Sequence, residues 1–447
     1  MGNLIISVSG LRGVVGEELT PELAARFACA YAAGQAAGKI VLARDGRGSG
    51  QMLADAIRGS LQAVGRSVLD AGVAATPTVG VLLSHHGAAG AIQVSASHNP
   101  PEYNGIKLFA QSGQVLSAAD GEAVVRRFHA GVTQWVAFDR LGRQEPLDDT
   151  LAHHAELVTR TVDVPRIRAA GFRVVLDANH GAGSLLGRKL LEELGCDVTL
   201  IGDQPDGEFA HPPEPTAENL RGICDIVAER AADVGFCQDP DADRLAVIDA
   251  RGVYLGEEYT LAICLDQVLQ ERSGPVVTNC STSRMAEDLA ARYGVPFFRS
   301  PVGEANVVGV MKERNAIFGG EGNGGPIDPR VGFIRDSFVG MAWVLHAMAR
   351  RRLPVSQLAA ALPRYAICKT KATVAPSRVA DALAAVERHF ANAPADRMDG
   401  LRLDWPGKWV LIRASNTEPI VRIVAESATM AESQSLCDEV AAAIARA

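Results

Sequence analysis

Three stretches decide the fold: Gly38-Lys-Ile-Val-Leu-Ala43, Gly171-Phe-Arg-Val-Val-Leu176 and Gly274-Pro-Val-Val-Thr278. Each is a short apolar run that leads into a polar turn, namely Arg44-Asp-Gly-Arg47, Asn179-His-Gly-Ala-Gly183 and Ser281-Thr-Ser283. Behind each turn comes an amphipathic stretch, from Gln51 to Ala63 in the first copy and on through Leu194 and Tyr293 in the others. A glycine follows (Gly65, Gly195, Gly294), then a second apolar run at Ser67–Asp70, Asp197–Leu200 and Val295–Phe298. Buried strand, loop, helix, terminating glycine and second strand make a βαβ unit. Such a unit needs a parallel sheet with helices on its faces. Three copies predict three related α/β domains with mixed, largely parallel sheets.

The C-terminal stretch reads differently. Tyr365–Val374 alternates as a strand with one exposed face, and helical periodicity follows around Arg378–Phe390. Strand-like runs then occur at Leu401–Trp405, Trp409–Ala414 and Ile420–Ala425, before a last helix from Ala431 to Ala447. This order predicts a small α+β domain with one helical face. The expected domains are 1–150, 151–253, 254–365 and 366–447, set around a central cleft.

Composition narrows the function. Among 447 residues, 44 Lys and Arg face 52 Asp and Glu, a net charge of −8 that leaves no broad basic face for nucleic acid. Apolar residues are 47% and charged residues 21%, as in an ordinary globular chain. The eight cysteines form no C-x-x-C pair, so neither a disulfide frame nor a zinc knuckle is indicated. No apolar run reaches the ~20 residues a membrane span needs. The start, Met-Gly-Asn-Leu-Ile-Ile-Ser, lacks a signal-peptide pattern. The expectation is a cytoplasmic protein with small-molecule ligands, acting as a monomer or homodimer.

Four clusters can carry chemistry. The first is Ser95-Ala-Ser-His-Asn-Pro-Pro-Glu-Tyr-Asn-Gly-Ile-Lys107, which follows the apolar run Ala91–Val94 and places hydroxyls at a strand's C-terminal edge. Ser97 is a candidate nucleophile with His98 or Lys107 to handle its proton; the bland alternative is an Asn-Pro turn. The second, Asp239-Pro-Asp-Ala-Asp-Arg244, brings alternate carboxylates toward one point. Their repulsion invites a hard divalent cation, and three protein ligands leave room for phosphoryl oxygens, which suits Mg²⁺. An EF-hand is excluded because Arg244 and Ala250 stand where that loop needs Gly and Glu. The third, Gly319-Gly-Glu-Gly-Asn-Gly-Gly-Pro326, offers Glu321 and Asn323 as a hydroxyl reader, or is only a connector. The fourth, Arg413-Ala-Ser-Asn-Thr-Glu-Pro419 with Arg422 beyond it, is either a phosphate cradle or a polar hairpin turn. Gly181-Ala-Gly183 misses the dinucleotide fingerprint by one residue.

In this order the four clusters resemble those of the α-D-phosphohexomutase superfamily, which includes phosphoglucomutases, phosphomannomutases and phosphoglucosamine mutases. Ser9-Gly-Leu-Arg-Gly13 resembles the family's N-terminal motif as well. The resemblance implies a phosphorylated Ser97, with Mg²⁺ held by Asp239, Asp241, Asp243 and that phosphoryl group. It implies catalytic roles for Lys107, His98, Arg244 and Arg12, hydroxyl reading by Glu321 and Asn323, and phosphate binding by Arg413, Ser415, Asn416, Thr417 and Arg422. The implied activity is interconversion of hexose 6-phosphate and hexose 1-phosphate through a 1,6-bisphosphate, with glucosamine phosphate as the substrate. Glucose and mannose phosphates are the alternatives within the family, and a catalytically silent sugar-phosphate sensor is the alternative outside it. Asn323 and Gly325 stand where many members have Ser and His, and the metal loop reads Asp-Pro-Asp where many have Asp-Gly-Asp. Both departures bear on substrate choice.

Overall fold

The computed structural model describes residues 4–7, 10–415 and 419–446. Its α/β part repeats one topology three times. In the first unit the strands are Ile40–Arg44, Val68–Val73, Gly90–Val94 and Tyr103–Phe109. In the second they are Arg173–Asp177, Asp197–Ile201, Val234–Gln238 and Leu245–Asp249, and in the third Val276–Asn279, Phe297–Ser300, Phe318–Glu321 and Gly325–Ile327. Across every sheet the spatial order is fourth, third, first, second. The first strand pairs in parallel with the second and third, and the fourth returns antiparallel to the third. The first sheet grows to seven strands by adding Ile5–Ser7 and Gly10–Val14 at one edge and Gln144–Pro146 at the other.

The connecting helices Gly50–Ala63, Gly183–Glu193 and Met285–Arg292 are each followed, two residues on, by the glycine seen in the sequence. Gly65, Gly195 and Gly294 have φ of +79°, +77° and +65°, the left-handed geometry that ends a helix cheaply only at glycine.

The second and third units share one hydrophobic core. It runs from Val174 and Leu176 through the helices Glu257–Glu271 and Ser337–Arg351 to Val276 and Phe318. The first unit keeps separate clusters on the two faces of its sheet.

The C-terminal domain is a five-stranded sheet of antiparallel pairs, covered on one face by Val379–His389 and Met430–Ala445. Its other face sets Trp409 and Leu411 against Cys280 and Val302 of the third unit. Arg402 donates to the Cys280 carbonyl, and Glu426 Oε1 accepts from Arg284 N (2.9 Å) and Trp409 Nε1 (2.7 Å). That contact is small beside the shared core, and it fixes the Arg413 strand against the third unit. All eight cysteines are free, and among the described residues no helix is long and apolar enough to cross a membrane.

Candidate active site

The turn between third and fourth strands occupies the same topological place in each unit, and each of the first three clusters lies there. Ser97 and His98 sit in the first turn, Asp239–Arg244 make up the second, and Glu321 and Asn323 frame the third. Contacts between the units tie the second turn to its neighbours. Leu245 N donates to Gly324 O at 2.9 Å, and Thr76 N and Oγ1 donate to Asp241 O and Oδ2 at 2.9 and 2.5 Å. They open onto a cavity of about 600 Å³ lined by Arg12, Ser97, His98, Lys107, Arg244, Glu321 and Asn323, and across it by Arg413 and Arg422. Ser415 is described but is not among the lining residues, while Ser9, Asn416 and Thr417 lie outside the described residues.

Ser97 is buried with φ +51°, left-handed backbone that a non-glycine residue holds only at a cost of about 1–2 kcal/mol. The clamp is Arg47, which the sequence offers only as a turn residue. Its guanidinium pairs with Asp45 (3.2 Å) and donates to the carbonyls of Ser97 (2.7 Å), Asn99 (2.6 Å), Pro100 (2.6 Å) and Tyr103 (3.0 Å). Ser95 Oγ donates to Asp45 and accepts from Ser97 N. Thus held, Ser97 Oγ lies 2.9 Å from Asp239 Oδ2 and 3.3 Å from His98 Nδ1. Burial, then Arg244 and Arg12, push the His98 imidazole down to about 3, so it is neutral at pH 7.

The three aspartates are fully buried, and each offers an oxygen within 4.8 Å of the others. Among the described residues no other group of His, Cys, Asp or Glu meets that geometry. Lys107 Nζ lies 2.5 Å from Asp241 Oδ2 and 3.2 Å from Asp243 Oδ2, and Arg335 Nη2 lies 2.6 Å from Asp243 Oδ2. Arg244 Nε adds a longer contact to Asp243 Oδ1 at 3.9 Å, and among the described residues Asp239 has no cation within ion-pair distance. Burial together with Asp243 and Asp241 drives Asp239 well above the carboxylate range. Asp243 stays low because Arg335 and Lys107 outweigh burial. Oδ1 of both Asp241 and Asp243 is buried with no hydrogen-bond partner. Three converging carboxylates, two of which keep a buried oxygen without a partner, fit a hard divalent cation.

Several further residues carry no signal in a single sequence. Arg335, just before the helix Ser337–Arg351, joins Asp243 of the metal loop to Glu321 (2.8 Å) and Glu304 (3.0 Å). Burial pushes Glu304 up to about 7 against the pull of Arg335. Glu258 lines the cavity and accepts from Ser283 N at 3.0 Å. Gly181 and Gly183 have a packing role: a Cβ on Gly183 would fall 2.2 Å from Gln238 Oε1, and Ala182 N donates to Pro240 O. This turn backs the metal loop, which leaves the near-miss dinucleotide fingerprint without a site of its own.

A fold of three repeated α/β units and a C-terminal domain, with a serine beside three aspartates in a cleft closed by arginines, defines a phosphoryl-transfer architecture. The sequence matches the phosphoglucomutase/phosphomannomutase alpha/beta/alpha domains I, II and III over residues 4–134, 152–252 and 257–365, and the C-terminal domain over 374–443. The chain belongs to this family, within the α-D-phosphohexomutase superfamily, and is an isomerase of the mutase type. A Thermococcus kodakarensis protein named phosphoglucomutase/phosphomannomutase is 37% identical, covering 96% of this chain and 95% of its own. A Methanopyrus kandleri protein named "Probable phosphoglucosamine mutase" is 33% identical with the same coverage. The crystal structure of a Burkholderia thailandensis phosphoglucomutase/phosphomannomutase family protein aligns with TM-score 0.83 at 25% identity, covering 98% of each chain.

Proposed function

We propose that the chain interconverts glucosamine 6-phosphate and glucosamine 1-phosphate through phosphorylated Ser97 and a 1,6-bisphosphate. The observation that carries this reading is the placement of a strained, clamped Ser97, 2.9 Å from Asp239, across one cavity from Arg413 and Arg422. A hydrolase needs only the first half of that arrangement. A mutase needs both, because one phosphate must stay bound while the other transfers.

In the first half-reaction the bond from phosphorus to Ser97 Oγ breaks and a bond from phosphorus to a sugar hydroxyl oxygen forms. The hydroxyl proton leaves to a cavity base, and Ser97 Oγ takes up a proton. Lys107, held protonated by Asp241 and Asp243, is positioned to supply it and to recover it on return. His98, neutral and 3.3 Å from Ser97 Oγ, accepts hydrogen bonds there without adding charge. Arg12 and Arg244 line the same end and offset the charge of the phosphoryl oxygens. Asp239, Asp241 and Asp243, with an oxygen of phosphorylated Ser97, would hold Mg²⁺, which neutralises phosphoryl charge when bound. Glu321 and Asn323 face the ring. Arg413, Ser415, Asn416, Thr417 and Arg422 receive the phosphate that is not reacting. The bisphosphate then reverses end for end and returns its other phosphoryl group to Ser97.

Relatives named phosphoglucosamine mutase support the amino sugar. The 37% identical relative supports a second reading, in which glucose or mannose phosphate is turned over. A coupled assay across the 6-phosphates of glucosamine, N-acetylglucosamine, glucose and mannose decides. The amino sugar is expected to have the highest kcat/KM, and a higher value for glucose or mannose would select the second reading.

A further inference from the structure

We propose that Glu258 is the specificity residue of the sugar site, its carboxylate pairing with the 2-ammonium group of an amino-sugar phosphate. This rests on the mutase reading above and gives it a substrate class. The sugar loop itself has no negative charge to spare. Glu321 Oε1 accepts from Asn279 Nδ2 (2.7 Å) and Gly303 N (3.0 Å), and Oε2 is neutralised by Arg335 at 2.8 Å. Such a carboxylate can accept from a hydroxyl but has already been matched to a cation.

Glu258 is the contrasting case. It is the second residue of the helix Glu257–Glu271, half-buried, and it lines the cavity beside Asn279, Gly322 and Asn323. Its Oε2 accepts from Ser283 N, and among the described residues no Lys, Arg or His lies within 4.0 Å of its carboxylate. Lys369 of the C-terminal domain, which also lines the cavity, pairs with Glu257 at 3.8 Å. The position along the cavity is set by Gly322, whose missing side chain is required. A Cβ there would fall 2.0 Å from Glu258 Oε1 and 2.1 Å from Oε2, so the carboxylate packs against the loop between Glu321 and Asn323. Ser97 and Arg413 line the same cavity.

A half-buried carboxylate with no counter-cation is less favourable than one that a ligand's cation pairs. Burial holds this carboxyl well above the usual range, with Glu426 and Glu257 adding to the effect while Ser283 and Lys369 oppose it. An ammonium group on the ring answers that deficit with a charge-assisted hydrogen bond, and a hydroxyl at the same carbon does not. Sites built around such a pairing discriminate strongly against a substrate that lacks the group.

The test is Glu258→Gln, which keeps shape and the acceptor for Ser283 N but removes the charge. Binding of glucosamine 6-phosphate and of glucose 6-phosphate is measured by calorimetry, and kcat/KM is measured for both. The expected result is a loss for glucosamine 6-phosphate about tenfold or more greater than for glucose 6-phosphate. N-acetylglucosamine 6-phosphate, which carries no charge at that position, should follow glucose. Glu258→Asp, which keeps the charge, should restore part of the preference. Equal losses with both sugars, or no loss with either, would show that Glu258 only holds the Ser281–Ser283 turn. The two readings fail separately. Wild-type protein that discriminates in binding through Glu258 but interconverts no sugar phosphate sinks the mutase reading alone. Brisk interconversion with an unmoved binding ratio in Glu258→Gln sinks the specificity proposal alone.

Discussion

The floor of the cavity and its C-terminal rim carry their charges in opposite ways. On the floor the central charges are held by several partners at once. Asp241 and Asp243 have no exposed side-chain surface, Lys107 touches both, and Arg335 bridges three carboxylates. On the rim Arg413 is a quarter exposed with one ion-pair partner, Asp399 at 2.7 Å, and Arg422 is exposed with no ion-pair partner among the described residues. The floor draws on all three α/β units, the second and third sharing one core, whereas the rim belongs to the C-terminal domain, which rests on the third unit through Trp409, Leu411, Arg402 and Glu426. The difference teaches what each end must do. Charge at the reacting phosphoryl group has to be met by dipoles and ions that do not reorganise during transfer. The spectator phosphate has to be held and then released, because the intermediate must turn over.

The sharpest break in that comparison is Ser97→Ala. Activity should fall by about 10³-fold or more, since the group that carries the phosphoryl is gone, while sugar-phosphate binding remains. Intact-protein mass should show a phosphate adduct on the wild type only. Asp243→Asn comes next. It strips Arg335 and Lys107 of a shared carboxylate, so folding should weaken by about 3–5 kcal/mol, read by denaturant titration. Mutase activity in that variant should also drop, by about 10²-fold or more. An unchanged unfolding midpoint would mean that the floor is not the rigid charge network drawn here.

Arg413→Ala probes the rim. Losing its charge-assisted hydrogen bonds to phosphate costs about 1.5–3 kcal/mol, or roughly 10- to 150-fold, mostly in KM and equally for 1-phospho and 6-phospho substrates. The fold should be as stable as wild type. A penalty confined to one isomer would show that the rim does not serve both orientations.

The smallest effect is on pH dependence. His98 has a folded-state value near 3, set by burial, Arg244 and Arg12, against 6.5 in the unfolded chain. Below pH 6.5 the unfolded chain gains a proton that the folded one refuses. This contribution to stability is therefore complete above pH 6.5 and is lost progressively as pH falls toward 3. Thermal melts should fall more steeply between pH 6.5 and 5 in wild type than in His98→Asn, and parallel curves would refute a neutral, buried His98.

Much of the fold was legible because periodicity reports burial directly. The three strand–helix–strand repeats and the C-terminal strands emerge close to where the pattern places them. The repeated return strand was harder to read. Gly325–Ile327 is short and Gly-rich, and Leu245–Asp249 reads as one more apolar run. Of the candidate site, the residues in compact motifs stood out, since Ser97, the aspartates, Glu321 and Arg413 each sit in a dense polar or glycine-rich run. Arg47, Arg335, Glu304 and Glu258 did not, because each stands in an ordinary segment and acquires its role from partners 14 to 92 residues away.

What the sequence determined by itself was the class of each local piece: which runs are buried strands, where helices stop, and which short loops are rich in phosphate- and metal-binding groups. These follow from interactions between near neighbours, and a linear pattern records them. Only the tertiary structure decided that the three loops occupy one repeated hairpin position and meet over a shared charge network. It alone showed Arg47 forcing Ser97 into left-handed backbone, and Gly322 yielding its space to Glu258. Burial is what makes those contacts matter, because charges at long sequence separation interact strongly only after packing has removed the water between them.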